Sequence, residues 1–188
     1  MLHIALIVGT TRAQRFADHV AQWLLDGARE RQDMRLELVD LRDYPLPLLG
    51  EEQAGGAQAV AGWKRLVASY DGYVMTAAEY NHGPSAVLKN ALDSAYKEWN
   101  RKPVAFVGYG GVGGARAVEQ LRLIAIELQL APIRNAVHIG MEPMLAVSQG
   151  TSRLGDYAYL NESRTAMLDQ LAWWGEALRQ AREVDAAR

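Results

Sequence analysis

The chain has 188 residues, a formal net charge of −2, 49% hydrophobic and 22% charged residues, and no cysteine. A chain of this length can bury about 70% of its unfolded surface in one domain, and its charge balance offers no broad basic surface for nucleic acid. Without cysteine there is no disulfide, thiolate metal site or thiol redox couple, so any redox function must be carried by a cofactor.

The expectation is one domain over residues 1–188. The start, Met1-Leu2-His3-Ile4, lacks the basic segment, apolar core and small-residue cleavage site of an export signal. No apolar run approaches the ~20 residues needed to cross a bilayer. A cytoplasmic protein with no membrane partner is therefore expected.

Ile4 to Val8 is a continuous apolar run ended by Gly9, the pattern of a central parallel strand covered on both faces. From Phe16 the period turns helical, with Val20, Trp23, Leu24 and Ala28 at steps of three or four. Leu36 to Leu41 reads as a second strand. Asp43 to Gly56, with two prolines and three glycines, reads as a long loop, and Val60 to Tyr70 as a short helix. Tyr73 to Ala77 is a short buried strand. Pro84 or Ser85 then opens a helix predicted to end near Trp99-Asn100.

Val104 to Val107 is a further buried strand, and five glycines stand in the seven residues Gly108 to Gly114. A helix over Ala115–Leu130 and a last strand over Ala136–Ile139 follow. Gly140 to Tyr159 has no regular period. Ser163 to Arg182 is a closing helix whose apolar positions Met167, Leu171, Trp174 and Leu178 place Trp174 in the core, with Trp173 facing about 100° away. Five alternations of strand and helix imply an α/β fold: a five-stranded parallel sheet in the order 2-1-3-4-5, with right-handed crossovers and helices on both faces.

That order brings the carboxyl ends of strands one and three together at a topological switch point, where ligands bind in open α/β sheets. The loop after strand one offers Thr10, Thr11, Arg12 and Arg15 at the head of a helix. Helix amides, hydroxyls and a guanidinium suit a monophosphate. The alternative is a solvated helix start with two surface arginines. Neither the Gly-Lys-Ser/Thr of a Walker loop nor a G-x-G-x-x-G fingerprint is present. The loop after strand three, Glu79-Tyr80-Asn81-His82-Gly83, carries a carboxylate, a phenol, an amide and an imidazole, groups that suit the edge and face of a planar heterocycle. The third loop, Tyr109-Gly110-Gly111-Val112-Gly113-Gly114, lets backbone approach a flat ligand, although glycine-rich turns before helices are common.

Together these loops resemble the NAD(P)H-dependent FMN reductase family, the flavodoxin-like quinone, azo and chromate reductases. The resemblance covers about Ile4 to Ile139. It rests on Gly9–Arg15, on Glu79–Pro84 with Leu88-Lys89-Asn90-Ala91-Leu92-Asp93, and on Tyr109-Gly110-Gly111 with Gly113-Gly114. Two positions depart from the usual pattern: Ala78 stands where Pro usually precedes Glu-Tyr-Asn, and Arg15 where Ser is frequent.

The resemblance implies that Thr10, Arg12, Arg15 and the amide of Phe16 hold the FMN phosphate. It implies that Ala78, Glu79, Tyr80, Asn81 and His82 line the isoalloxazine, and that Tyr109, Gly110 and Gly111 close its other side. It further implies NADPH or NADH as electron donor, small-molecule acceptors, and a homodimer or dimer of dimers with FMN near the subunit interface. Tyr96 and Trp99 are then interface aromatics or ordinary packing residues. No catalytic side chain and no metal ligand set emerge. A phosphorelay receiver is set aside, because Val8-Gly9-Thr10 and Met75-Thr76-Ala77 lack its acidic positions. An FMN-dependent electron carrier or interaction module without turnover stays open as the alternative.

Overall fold

A computed structural model describes residues 1–51 and 55–187, so residues 52–54 of the predicted Asp43–Gly56 loop lie outside the described residues. The elements run β1 (Leu2–Val8), α1 (Ala17–Ala28), β2 (Met34–Asp40), α2 (Gly56–Ala68), β3 (Gly72–Ala78), α3 (Ala86–Asp93), β4 (Pro103–Tyr109), α4 (Ala115–Glu127), β5 (Ala131–Pro132), β6 (Val137–Ile139), α5 (Met141–Ser148) and α6 (Ala158–Ala186). Every strand pair is parallel, and the sheet order is β2-β1-β3-β4-β5, with β6 also on β4.

The unbroken apolar runs follow from coverage on both faces. Successive side chains of a strand point to opposite sides. Leu2, Ile4, Leu6 and Val8 of β1 pack with α1 and α6, while Ala5 and Ile7 pack with α2, α3 and α4. In β3 and β4 every residue is buried.

The expected order is present, with one difference at the edge. The fifth position is filled by two short pieces, Ala131–Pro132 and Val137–Ile139. Pro132 has no N–H to continue a ladder. Arg122 of α4 satisfies the intervening backbone, donating to the carbonyls of Ile133 (2.5 Å) and Arg134 (2.9 Å).

α3 is shorter than the apolar period predicts. Ser85 caps it, accepting from the Leu88 N–H at 3.1 Å, and the helix ends at Asp93. The chain then turns so that Trp99 enters the core, where its indole donates to the Leu92 carbonyl (3.0 Å) and its ring meets Tyr73 edge-on at 4.8 Å. Trp99 is thus a core residue, while Tyr96 stays exposed.

Trp174 corrects the sequence reading. It is 37% exposed and Trp173 67% exposed, and the two rings meet edge to face at 5.3 Å. α6 lies close against β1 at Gly175, where a Cβ would stand 2.6 Å from the Leu2 side chain. Its buried stripe is Leu160, Met167, Leu168, Leu171 and Gly175, and Trp174 falls beside that stripe. The aperiodic segment 140–159 holds α5 and a 3-10 turn at Leu154–Asp156.

Candidate functional site

The first loop is anchored from below. The Gly9 N–H donates to the Thr76 hydroxyl (3.0 Å), and the Ser85 hydroxyl donates to the Gly9 carbonyl (2.5 Å). A Cβ on Gly9 would sit 2.2 Å from the Thr76 carbonyl oxygen, which is why glycine ends β1. Phe16 caps α1 without any side-chain hydrogen bond; the Asp18 and His19 amides turn back to the Arg15 and Phe16 carbonyls, so the Phe16 and Ala17 amides are the ones at the helix start that suit an anion.

The two arginines of this loop divide their roles. The Arg15 guanidinium is 2% exposed and pairs with Asp40 and Asp18, and it also donates to the Thr10 carbonyl. Burial alone would raise the Asp40 carboxyl, but Arg15 and then Arg42 hold it well below the usual carboxylate range. Arg15, expected to be a phosphate ligand, braces the loop through these contacts and also lines the cavity enclosed by the three loops. Arg12 is exposed, and its electrostatic partners are the phenols of Tyr80 and Tyr109; among the described residues no carboxylate pairs with it.

The second loop leaves β3 through a tight turn in which Tyr80 and Gly83 exchange backbone hydrogen bonds of 2.9 and 3.0 Å. Asn81 and His82 at its apex take positive φ of 49° and 69°. The third loop follows β4. Gly110 has φ 147°, a value that favours glycine, and a Cβ there would meet Glu79 at 3.3 Å. The Glu79 N–H donates to the Tyr109 carbonyl at 3.1 Å, joining the second and third loops.

Glu79 has an unexpected partner. Its carboxylate is 4% exposed and takes the Arg116 backbone N–H (3.1 Å) and Nε (2.6 Å). Burial favours its neutral form, yet the Arg116 hydrogen bonds keep its pKa lowered.

These loops enclose a cavity of about 270 Å³ lined by Arg12, Gln14, Arg15, Phe16, Ala78, Glu79, Tyr80, Tyr109, Gly110, Gly111 and Met144. Phe16 and Tyr109 meet across it at 5.4 Å between ring centres. Burial drives the Tyr109 phenol upward, so it is a neutral hydroxyl at any physiological pH. Of the residues expected in the site, the structure brings Arg12, Arg15, Phe16, Ala78, Glu79, Tyr80, Tyr109, Gly110 and Gly111 into one wall. Thr10, Asn81 and His82 lie outside that lining. Sequence reasoning missed Met144, which sits in the aperiodic segment, and Arg116. The position of Arg116 in the first turn after a glycine loop was the available signal.

The sheet order and this cavity at the switch point define a flavodoxin-like α/β protein with a ligand site at its loops. The chain belongs to the NADPH-dependent FMN reductase family, whose model matches residues 2–143. An NAD(P)H-dependent FMN reductase of Schizosaccharomyces pombe is 35% identical over 144 residues, covering 71% of this chain and 72% of that protein. A 2-hydroxy-1,4-benzoquinone reductase of Burkholderia sp. is 33% identical over 137 residues, 69% of this chain and 73% of the other. An NADPH azoreductase is also among the relatives. In fold, the chain is similar to the flavoenzyme NAD(P)H:(acceptor) oxidoreductase of Paracoccus denitrificans, with a TM-score of 0.71 and 21% identity over 91% of this chain and 97% of that one.

FMN as cofactor and NAD(P)H as donor accompany that membership, and the residues present fit them. The exposed Arg12 and the uncapped α1 terminus suit a phosphate. The aromatic wall and the glycine backbone of 110–111 suit a flat ring.

Proposed function

We propose that this protein binds one FMN across its three loops and passes electrons from NADPH or NADH to quinones, azo compounds, free flavins or oxidised metals by a ping-pong mechanism. The observation that carries this reading is the cavity itself: lined by aromatic and glycine residues, with one guanidinium at its edge that meets phenols and no carboxylate of the described residues, and with its one carboxylate already paired. Bound FMN would supply the redox chemistry, accepting hydride from the nicotinamide and releasing electrons to the acceptor.

The chain's part is to bind, orient and exclude water. Arg12, Thr10 and the Phe16 amide would hold the phosphate. Ala78 to His82 and Tyr109 to Gly111 would frame the ring, with Arg15 fixing the first loop from behind. Donor and acceptor using one slot in turn gives parallel-line kinetics and selection by planarity. The named quinone and azo substrates of relatives support that breadth.

The test is stopped-flow reduction of the FMN-loaded protein by NADPH without acceptor. Complete bleaching followed by reoxidation on adding a quinone is expected. Reduction only when both substrates are present would overturn the ping-pong reading. Glu79→Gln, Asn81→Ala and His82→Ala should each alter rate or affinity without abolishing turnover.

We also infer a homodimer with α3 at its interface. Exposed Val87 and Tyr96 on or after α3, beside exposed Leu48 and Leu49, support it. Sedimentation showing only monomer at micromolar concentration would refute it. No helix of the described residues is long and apolar enough to cross a membrane, and we propose a cytoplasmic location.

A further inference from the structure

The turn that carries the second loop is held from outside by α4. The holding group is the planar Arg116 guanidinium. Its Nε and backbone N–H reach Glu79, and its Nη1 lies 2.8 Å from His82 Nε2. One turn further along α4, the Gln120 amide donates to the His82 carbonyl at 2.7 Å. A Cβ on Gly83 would stand 3.2 Å from the Gln120 Oε1, so the helix rests closely on the turn.

Guanidinium has no acceptor, so His82 Nε2 accepts from Arg116 and the imidazole in this arrangement is neutral. Asn81 and His82 are consecutive residues with a Cβ in the left-handed region, a conformation that persists only when its surroundings impose it. The surroundings here are Arg116, Gln120 and the Tyr80–Gly83 exchange. The charged groups facing His82 are Arg116 from α4 and, through it, Glu79 from the loop itself.

We propose that Arg116 is a positioning residue for the ring-binding loop: shared between Glu79 and a neutral His82, it holds the Tyr80–Gly83 turn in the shape that lines the cavity, and protonation of His82 releases that hold. A protonated imidazole offers Arg116 a second donor and a like charge in place of an acceptor. Acid then loosens the turn while leaving Glu79–Arg116 in place, because that carboxylate titrates lower. The inference rests on the reading that this loop frames the flavin.

The test compares wild type, Arg116→Ala, Arg116→Lys and His82→Gln, with FMN affinity from fluorescence quenching between pH 5 and 8. FMN's own phosphate titrates in this range, but equally for every variant, so differences between proteins are read. Wild type should lose FMN affinity relative to His82→Gln as pH falls, because the glutamine oxygen accepts from Arg116 without titrating. Arg116→Ala should bind FMN about tenfold more weakly at pH 8 and show no pH dependence beyond that of His82→Gln. Arg116→Lys, able to pair with Glu79 but not to bridge both partners, should recover part of the affinity.

Amide exchange of the ligand-free chain reads the turn without flavin. Tyr80 and Gly83 should lose protection in Arg116→Ala and, in acid, in wild type, but not in His82→Gln. Wild-type chain that fails to bind FMN would remove the functional reading while the exchange data still decide the clamp. Equal exchange in all four proteins, or the same pH profile in wild type and His82→Gln, would overturn the proposal.

Discussion

Arg15 and Asp40, 25 residues apart in sequence, are joined by a two-pronged ion pair that ties the loop after β1 to the end of β2. The guanidinium is almost wholly enclosed and the carboxylate 12% exposed. Removing one partner of such a pair strands a buried charge and costs about 3–5 kcal/mol. Asp40→Ala should fall toward the lower end of that range, since Asp18 still engages Arg15. The Asp40 carboxyl titrates below its ordinary value in the fold. Its contribution is therefore present above about pH 4 and is lost as pH falls toward the folded value. Urea denaturation at pH 7 and pH 3 should show the gap between wild type and variant narrowing in acid.

Arg12→Ala should act on the ligand and not on the fold. Its guanidinium is exposed and unpaired with any carboxylate of the described residues, so melting should move little. A lost charge-assisted phosphate contact should weaken FMN binding, read as a raised Kd in a flavin titration. A flavin titration indistinguishable from wild type would remove Arg12 from the phosphate site.

The tryptophans should separate by burial. Trp99 is fully enclosed against Tyr73 and Trp63, and Trp99→Ala should cost about 3–5 kcal/mol. Trp173→Ala, at a surface position, should stay within about 0.5 kcal/mol. Comparable losses for the two in chemical denaturation would mean that the α6 face is covered in solution.

Lys102 gives a second pH signature, of opposite origin. Its Nζ is buried and donates to the Val67 and Ala68 carbonyls and to the Tyr73 hydroxyl, at 3.1, 3.0 and 3.2 Å. Burial, followed by Arg182, pushes the ammonium down to about 8. Between pH 8 and 10 the unfolded chain holds a proton that the folded chain has released, so stability contributed by this residue rises with pH. Lys102→Met should lack that rise. Melting temperatures at pH 7.5, 8.5 and 9.5 should therefore show wild type gaining on the variant; a constant difference would mean the ammonium stays charged, held by its three acceptors.

Much of this fold was legible because local pattern and burial agree. The runs Ile4–Val8, Tyr73–Ala77 and Val104–Val107 are apolar on both faces, and a covered parallel sheet demands that. The three loops were legible for a related reason: their polar and glycine residues have no role inside a strand or helix. What escaped was long-range pairing. Nothing near Arg15 in the chain announces Asp40, and nothing near Glu79 announces Arg116, 37 residues away. Glu79 reads as a ligand contact until the fold supplies its partner. Trp174 failed for a geometric reason, since helical spacing shows which residues share a stripe but not where the stripe's edge falls. The buried stripe runs through Leu171 to Gly175, which lies against Leu2, and leaves Trp174 beside it.

The interrupted strand beside β4 has a consequence for how molecules of this protein meet. A long, regular border strand is a template on which another chain can add its own strand. Here that border is two fragments of two and three residues, with a proline in the first and side-chain-satisfied carbonyls between them. At the opposite border, β2 places the charged Arg35 and Glu37 among its outer residues. The border beside β4 therefore offers no long row of free amides for edgewise growth. Strand addition is disfavoured on that side, which leaves charge on β2 as the guard of the opposite, seven-residue border.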